Sequence, residues 1–184
     1  MSAPLILASG SPRRRELLAL AGYSFTVEPA DIDETRNPGE APREYVQRLA
    51  MEKARTVHVR RPEATVLGAD TTVVLDGEVL NKPRDVNDAR RMLLALSDNV
   101  HEVHTGLAVF AGSHLRLRVE TTRVYFAPIQ PEELEVYLAS GDPLDKAGAY
   151  GIQGYASRWM PRTEGDYFNV VGLPVAATVR LLRD

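Results

Sequence analysis

Cysteine is absent from the 184 residues of this chain. Its absence excludes disulfide bonds, thiolate metal ligands and thiol catalysis. The sequence also lacks any run of ~18 apolar residues that could cross a membrane. Its first residues have neither the basic segment nor the long apolar segment of a signal peptide. These absences predict a cytoplasmic protein that does not bind membranes.

Lysine is scarce, since only Lys53, Lys82 and Lys146 are lysines among 22 lysines and arginines. The formal net charge of -3 gives no general attraction for nucleic acid, so we expect no nucleic-acid partner. A hydrophobic content of 44% and a charged content of 26% are ordinary for a folded chain. At this length we expect a single domain over residues 1–184.

Two common nucleotide-binding loops are missing as well. The pattern G-x-x-x-x-G-K-[ST] does not occur, and no G-x-G-x-x-G opens a helix. These absences argue against a P-loop ATPase and against a dinucleotide-dependent oxidoreductase.

Strand and helix patterns alternate along the chain. Pro12 and Pro42 suit the first turns of two helices, and Asp76-Gly77 is typical of a tight hairpin turn. The patterns predict strands at 5–8, 24–28, 65–75, 78–80, 101–110 and 115–126, helices at 12–21, 42–57, 87–96, 131–139 and 174–182, and a further hairpin over 159–171 that turns at 164–166. This order predicts an α/β fold with a mixed, twisted β-sheet flanked by helices.

A serine- and arginine-rich segment follows the first strand. In Ser9-Gly10-Ser11-Pro12-Arg13-Arg14-Arg15, hydroxyls and guanidinium groups meet the free N–H groups of a helix start. Such a place attracts phosphate. A capped helix with solvated arginines would have the same sequence, so both interpretations stay open.

Asp70 lies within the apolar stretch 66–75, where an unpaired carboxylate is costly unless a cation, a metal or a donor compensates it. It could be a metal ligand, a general base or a structural cap of a turn. Glu34 belongs to an acidic group on a loop. Lys53 and Lys82 are the lysine candidates for phosphate binding. His101 and His104 are three residues apart on a strand, so one metal ion should not bind both.

Residues 146–154 contain three glycines close together, which destabilise regular structure and are typical of a backbone that approaches a ligand closely. The carboxamide of Gln153 could then hydrogen-bond to a uracil or thymine base, and a flipped amide could bind cytosine unless a neighbouring residue fixes its orientation.

Five segments in order along the chain resemble the Maf family of nucleotide pyrophosphatases: Leu7 to Arg14, Glu52-Lys53-Ala54, Gly68-Ala69-Asp70-Thr71, Asn81-Lys82-Pro83-Arg84 and Asp145 to Gly154. The resemblance implies an inosine-triphosphatase-like (Maf/Ham1) fold with two lobes around a cleft, and a homodimer. It also implies metal-assisted water attack that converts a nucleoside triphosphate to its monophosphate and pyrophosphate.

The resemblance also implies roles for single residues. Arg13, Thr71 and Gln153 match the branch that acts on dTTP and UTP, rather than the 7-methyl-GTP branch. Asp70 is implied as general base, Asp70 and Glu34 as ligands of Mg²⁺ or Mn²⁺, and Ser9, Arg13, Arg14, Lys53 and Lys82 as contacts of the phosphates. The base and metal roles of Asp70 and Glu34 could be exchanged.

Three other functions stay open at this point. They are a 7-methyl-GTP or broad-specificity pyrophosphatase of the same family, a non-enzymatic regulator of septum formation, and an anion-binding or sugar-nucleotide-binding module without turnover. Metal-dependent release of pyrophosphate would separate the enzymes from the other two.

Overall fold

The computed structural model describes residues 3–183. Seven strands, six α-helices and three short 3-10 helices occur in it. The strands are β1 (Leu5–Leu7), β2 (Thr26–Val27), β3 (Thr65–Leu75), β4 (Glu78–Leu80), β5 (Val100–Ala111), β6 (His114–Tyr125) and β7 (Arg162–Glu164). The helices are α1 (Pro12–Leu20), α2 (Pro42–Arg60), α3 (Val86–Leu96), α4 (Pro131–Ala139), α5 (Tyr167–Val171) and α6 (Val175–Arg183).

The strands form one mixed sheet in the order β2-β1-β3-β5-β6-β7, with β4 paired to β3. β1 runs parallel to both β2 and β3, whereas β3 with β4 and β6 with β7 are antiparallel. The predicted mixed α/β architecture is therefore confirmed. None of the helices within residues 3–183 combines the length and hydrophobicity needed to span a bilayer.

The predicted hairpin over residues 159–171 is wrong. Only Arg162–Glu164 forms a strand, which pairs with β6, and residues 167–171 form α5 instead. The reason is local, because the Asp166 carboxylate accepts a hydrogen bond from the Phe168 N–H at 2.8 Å. An aspartate that bonds two residues ahead is typical of a helix start rather than of a hairpin turn.

The chain divides into two compact units. The first comprises the residues up to Thr71, Thr105–Glu120 and the residues from Gly172 onward; the second comprises Thr72–His104 and Thr121–Val171. The core of the first unit is aliphatic and includes Ile6, Ala54, Val57, Val66 and Ala108. The core of the second unit is rich in aromatic side chains, among them Phe126, Tyr137, Tyr150 and Trp159.

Two glycines let helix α2 lie directly against the sheet of the first unit. A Cβ on Gly68 in β3 would lie 2.3 Å from the Ala50 carbonyl oxygen, and one on Gly106 in β5 would lie 2.2 Å from the Val46 carbonyl oxygen. Real side chains never approach a backbone oxygen so closely. The glycines therefore set the short distance between α2 and β3, the two elements that bear Lys53 and Asp70.

Candidate functional site

Asp70, Lys53 and Glu34 form an ion-paired cluster in the first unit. Asp70, on β3, is 8% exposed, and Lys53, on α2, is equally buried. The Lys53 Nζ lies 2.6 Å from Asp70 Oδ1 and 2.7 Å from Glu34 Oε1. The sequence left open whether a cation, a metal or a donor compensates the buried carboxylate, and in the structure Lys53 is a cation in contact with it.

Burial dominates the electrostatics of Asp70. Desolvation raises the pKa of Asp70 above its ordinary value, and the positive charges of Lys53 and Arg14 counteract that rise. The negative charge of Glu34 raises the same pKa further. The proton affinity of Asp70 therefore depends on three neighbouring charges, those of Lys53, Arg14 and Glu34.

Glu34 differs from Asp70 in exposure, because 57% of its side chain is open to solvent. It lies on the irregular segment between β2 and α2. The two carboxylates touch the same ammonium, so their contacting oxygens lie no farther apart than the sum of their distances to Nζ. This spacing and these oxygen donors suit one Mg²⁺ or Mn²⁺.

No group of three or more His, Cys, Asp and Glu side chains suited to a metal occurs within the described residues. A cation held by Asp70 and Glu34 would therefore need further oxygen ligands from water or from a phosphate. Mg²⁺ is commonly bound in this way, through one or two carboxylates and the phosphates of the substrate. The donor set thus fits a metal that arrives with a nucleotide.

The segment after β1 forms the capped helix start that its sequence predicts. Ser11 is the N-cap of α1 and accepts from the Arg14 N–H, while Pro12 occupies the first turn. The Ser9 hydroxyl is buried and accepts from the Ser11 N–H at 3.3 Å. Cap and anion site are compatible, because the hydroxyl groups lie beside the positive end of the helix dipole.

The Arg14 guanidinium is bonded to the protein itself. It donates to the carbonyls of Gly172 and Ala69 at 2.9 and 2.8 Å, and to the hydroxyls of Ser9 and Thr71 at 3.2 and 3.0 Å. Burial lowers the pKa of Arg14, and the nearby Asp70 carboxylate opposes this effect. Arg14 thus connects the segment after β1 with β3 and with the chain before α6.

Thr71 takes part in the same network, directly after Asp70. Its hydroxyl lies 2.9 Å from the hydroxyl of Thr105 and 3.4 Å from the Gly172 carbonyl oxygen. Arg13, on the first turn of α1, is half-buried and close enough for its charge to lower the pKa of Arg14. The first unit therefore contains Ser9, Arg13, Arg14, Glu34, Lys53, Asp70 and Thr71 of the predicted site.

Lys82 and Gln153 belong to the second unit, and both are exposed. Their two segments are adjacent there, because the Gly148 N–H donates to the Asn81 carbonyl at 3.2 Å. Lys146 is held within its own segment, with its Nζ 2.8 Å from Asp142 Oδ1 and 2.6 Å from Asp145 Oδ1.

The two histidines bond to different residues, as expected from their places on β5. His101 Nε2 contacts the Tyr150 hydroxyl at 2.6 Å, and burial lowers the pKa of His101 to about 3. His104 Nδ1 contacts the Thr121 hydroxyl at 2.8 Å.

Tyr45 and Arg48 on α2 could not be identified from the sequence as part of the site. The Tyr45 hydroxyl donates to the Glu34 carbonyl at 2.8 Å, and Arg48 Nη2 donates to the Thr35 carbonyl at 3.0 Å. The only signal was the shared helical face of Tyr45 and Lys53. Such spacing is equally typical of a helix that simply packs on a core.

The chain is similar to known proteins along nearly its whole length. The model of the Maf-like protein family matches residues 4–184. A dTTP/UTP pyrophosphatase of Koribacter versatilis is 53% identical over 97% of this chain and 93% of its own length. One from Symbiobacterium thermophilum is 51% identical over 97% and 92%. A solved HAM1 protein from Coxiella burnetii is 17% identical, with a TM-score of 0.48 over 70% of this chain and 75% of its own.

Proposed function

Because this chain belongs to the Maf family, we propose that it hydrolyses dTTP and UTP to the nucleoside monophosphate and pyrophosphate. It is a nucleoside triphosphate pyrophosphatase, a hydrolase that acts on acid anhydrides. The observation that carries the chemical part of the proposal is the buried Asp70 carboxylate, held 2.6 Å from the Lys53 ammonium and facing a second carboxylate across it. A stable fold alone gains little from such an arrangement.

Asp70 is the general base in this proposal. Its carboxylate takes the proton of the water that attacks the α-phosphorus, and pyrophosphate leaves as the α–β bond breaks. Burial makes Asp70 a stronger base than a solvated aspartate, because it raises the carboxylate's affinity for a proton. Lys53 keeps the carboxylate ionised before attack and orients it through a short hydrogen bond.

A divalent cation, Mg²⁺ or Mn²⁺, would be held by Asp70 and Glu34 and would neutralise charge on the phosphates. The cationic side chains of Arg13, Arg14 and Lys82 and the hydroxyl of Ser9 are proposed to bind the triphosphate. Arg14 already donates four of its five N–H groups to the protein, so it is proposed to act on the triphosphate through its charge and its second Nη2 N–H. Lys82 is exposed and can reach an anion with its ammonium.

Specificity for dTTP and UTP is assigned to Arg13, Thr71 and Gln153. The exposed carboxamide of Gln153 offers one donor and one acceptor to the base. Thr71 is proposed to act through the residues it bonds, Arg14 and Thr105. A homodimer in the cytoplasm completes the proposal; light scattering of the purified protein would measure the first of these two properties directly.

The test is a panel of nucleotides with the purified protein and Mg²⁺ or Mn²⁺, in water labelled with ¹⁸O. UTP and dTTP should give the monophosphate and pyrophosphate, and the label should appear in the monophosphate because water attacks the α-phosphorus. Label in pyrophosphate would show attack at the β-phosphorus, and release of orthophosphate would show cleavage of the other anhydride bond. Either result contradicts the proposal, as does a preference for 7-methyl-GTP.

A further inference from the structure

The loop that carries Glu34 contains no helix or strand between β2 and α2. A loop of this length, with an exposed carboxylate on it, is ordinarily mobile unless its backbone is tied down. In this protein, hydrogen bonds hold the backbone of the loop. Two successive carbonyls, those of Glu34 and Thr35, accept hydrogen bonds from Tyr45 and Arg48 on α2.

Arg48 is itself fixed by a nearly buried partner. Its Nε lies 2.6 Å from Glu40 Oε1 and its Nη2 lies 2.9 Å from Glu40 Oε2, so the guanidinium and carboxylate meet in a two-point pair. The Glu40 side chain is 9% exposed, and it also accepts from the Asn37 N–H at 3.1 Å. Such a planar, two-point pair fixes orientation far better than a single surface ion pair does.

The remaining donor of Arg48, Nη1, lies 3.3 Å from the Glu52 carboxylate on the next turn of α2. Hydrogen bonds to Glu40 lead the causes that raise the pKa of Arg48, and Arg48 in turn lowers the pKa of Glu40. The pair is therefore charged on both sides at neutral pH. All three nitrogens of the guanidinium are engaged, and two of them reach the Glu34 loop.

Helix α2 thus holds this loop at two places. Tyr45 and Arg48, about one turn apart, bind the backbone around Glu34, and Lys53 binds the Glu34 carboxylate farther along. Because Lys53 also binds Asp70, the helix fixes the distance between the two proposed metal-binding carboxylates.

We propose that Arg48, paired with Glu40, is a positioning residue that keeps the Glu34 carboxylate next to Asp70, so that both bind the same divalent cation. This inference rests on the proposed function, in which Glu34 and Asp70 are the metal ligands. Arg48 touches neither reacting atoms nor substrate. It acts through the backbone of the loop, and so its effect must depend on the presence of Glu34.

The test uses the full chain and measures binding of Mn²⁺ alone by electron paramagnetic resonance, together with the Mn²⁺ concentration that half-saturates UTP hydrolysis. Arg48→Met should weaken Mn²⁺ binding roughly tenfold, in line with the loss of residues that orient metal ligands. Arg48→Lys should recover part of the loss. Arg60→Met is the matched control, because Arg60 lies on the same helix and pairs with Glu28. It should bind Mn²⁺ as the wild type does.

The decisive variant combines Glu34→Gln with Arg48→Met. If Arg48 acts through Glu34, the double variant binds Mn²⁺ no more weakly than Glu34→Gln alone. Additive losses, or unchanged Mn²⁺ binding in both Arg48→Met and Arg48→Lys, would overturn the inference. Failure of the proposed function has a different signature: Glu34→Gln itself would then bind Mn²⁺ normally, or the wild type would not hydrolyse UTP.

Discussion

Two of the three lysines, one in each unit, bridge a pair of carboxylates, but the two clusters are built differently. Lys53 links Asp70 and Glu34 at 2.6 and 2.7 Å. Lys146 links Asp145 and Asp142 at 2.6 and 2.8 Å. Nothing in these distances separates the two clusters.

The difference lies in how far the partners are from the lysine in the sequence and in the burial of one of them, Asp70. Asp142 and Asp145 are four and one residues from Lys146 and have side chains 42% and 69% exposed. This cluster stabilises a single turn, and its two carboxylates remain exposed to solvent. Asp70 lies 17 residues from Lys53, its side chain is 11% exposed, and it reaches Lys53 only because β3 and α2 pack together. Buried charges that only the tertiary fold unites are costly, and such cost is characteristic of functional sites.

The largest expected difference in UTP turnover is between substitutions of the aspartates in the two clusters. Asp70→Asn should lower UTP turnover by a factor on the order of a hundred or more while leaving the protein folded, because the base is lost and the shape is kept. Asp145→Asn, the same chemical change at the local cluster, should alter turnover by less than about threefold, since the Asp145 side chain is 69% exposed and solvent screens its charge. Steady-state turnover and thermal melting of both variants measure this contrast.

Equal losses in these two variants would remove the functional distinction between the clusters. Near-normal turnover in Asp70→Asn would remove Asp70 from the role of general base.

A smaller contrast is expected between the lysines. Lys53→Arg should lose most activity, roughly tenfold or more, because a planar guanidinium cannot replace the compact ammonium of a buried lysine between two carboxylates. Lys82→Arg is also expected to lose most activity if its ammonium binds phosphate. Lys146→Arg should retain more activity than either, because its exposed partners can adjust. Turnover of UTP in the three variants, at matched folded fractions, measures the difference.

The controls for the lysine series are Arg60→Lys and Arg116→Lys. Arg60 pairs with Glu28 with half of its side chain exposed, and Arg116 donates to the Leu181 carbonyl. Neither change should alter turnover measurably. Full activity in both Lys53→Arg and Lys82→Arg would show that lysine is not required at these positions. The small number of lysines would then have no functional meaning.

Local signals account for the parts of the fold that the sequence predicts correctly. Pro12 and Pro42 begin α1 and α2 as expected, and Asp76 and Gly77 both have the positive φ values, 50° and 82°, of the predicted hairpin turn. The hairpin predicted over 159–171 failed because Tyr167 to Val171 has strand-like composition, whereas its conformation follows from the Asp166 cap. The hydrogen bond from the Phe168 N–H to the Asp166 carboxylate therefore outweighs the strand propensity of this segment.

For the site, the sequence identifies residue types but not the contacts that unite them. Asp70 within an apolar stretch predicts a compensating group, yet only the packing of α2 on β3 makes Lys53 that group. The Arg48–Glu40 pair has no sequence signal, because arginines and glutamates on a helix and its preceding loop are ordinarily solvated. Side chains that act through backbone carbonyls, as Tyr45 and Arg48 do, become visible only in three dimensions.

Among the changes expected to disrupt the Lys53 cluster, the one at Gly68 should have the smallest effect on turnover, and it tests how that cluster is assembled. A methyl group there would lie 2.3 Å from the Ala50 carbonyl oxygen and 2.8 Å from the Ala54 nitrogen, so helix α2 must move away from β3. Gly68→Ala should destabilise the protein by about 2 kcal/mol, the range for an overpacked core. Urea unfolding measures this, with Gly10→Ala as control because its Cβ would meet only Pro29 at 3.8 Å.

A displaced helix also carries Lys53 away from Asp70, so folded Gly68→Ala should lose UTP turnover by a factor of about three, within the effects of small misplacement at a site. The Lys146 cluster, whose partners lie within its own turn, should keep its geometry in the same variant. Unchanged stability in Gly68→Ala would mean that α2 has room to shift without cost. The close packing of α2 on β3 would then not be what holds the buried lysine against its aspartate.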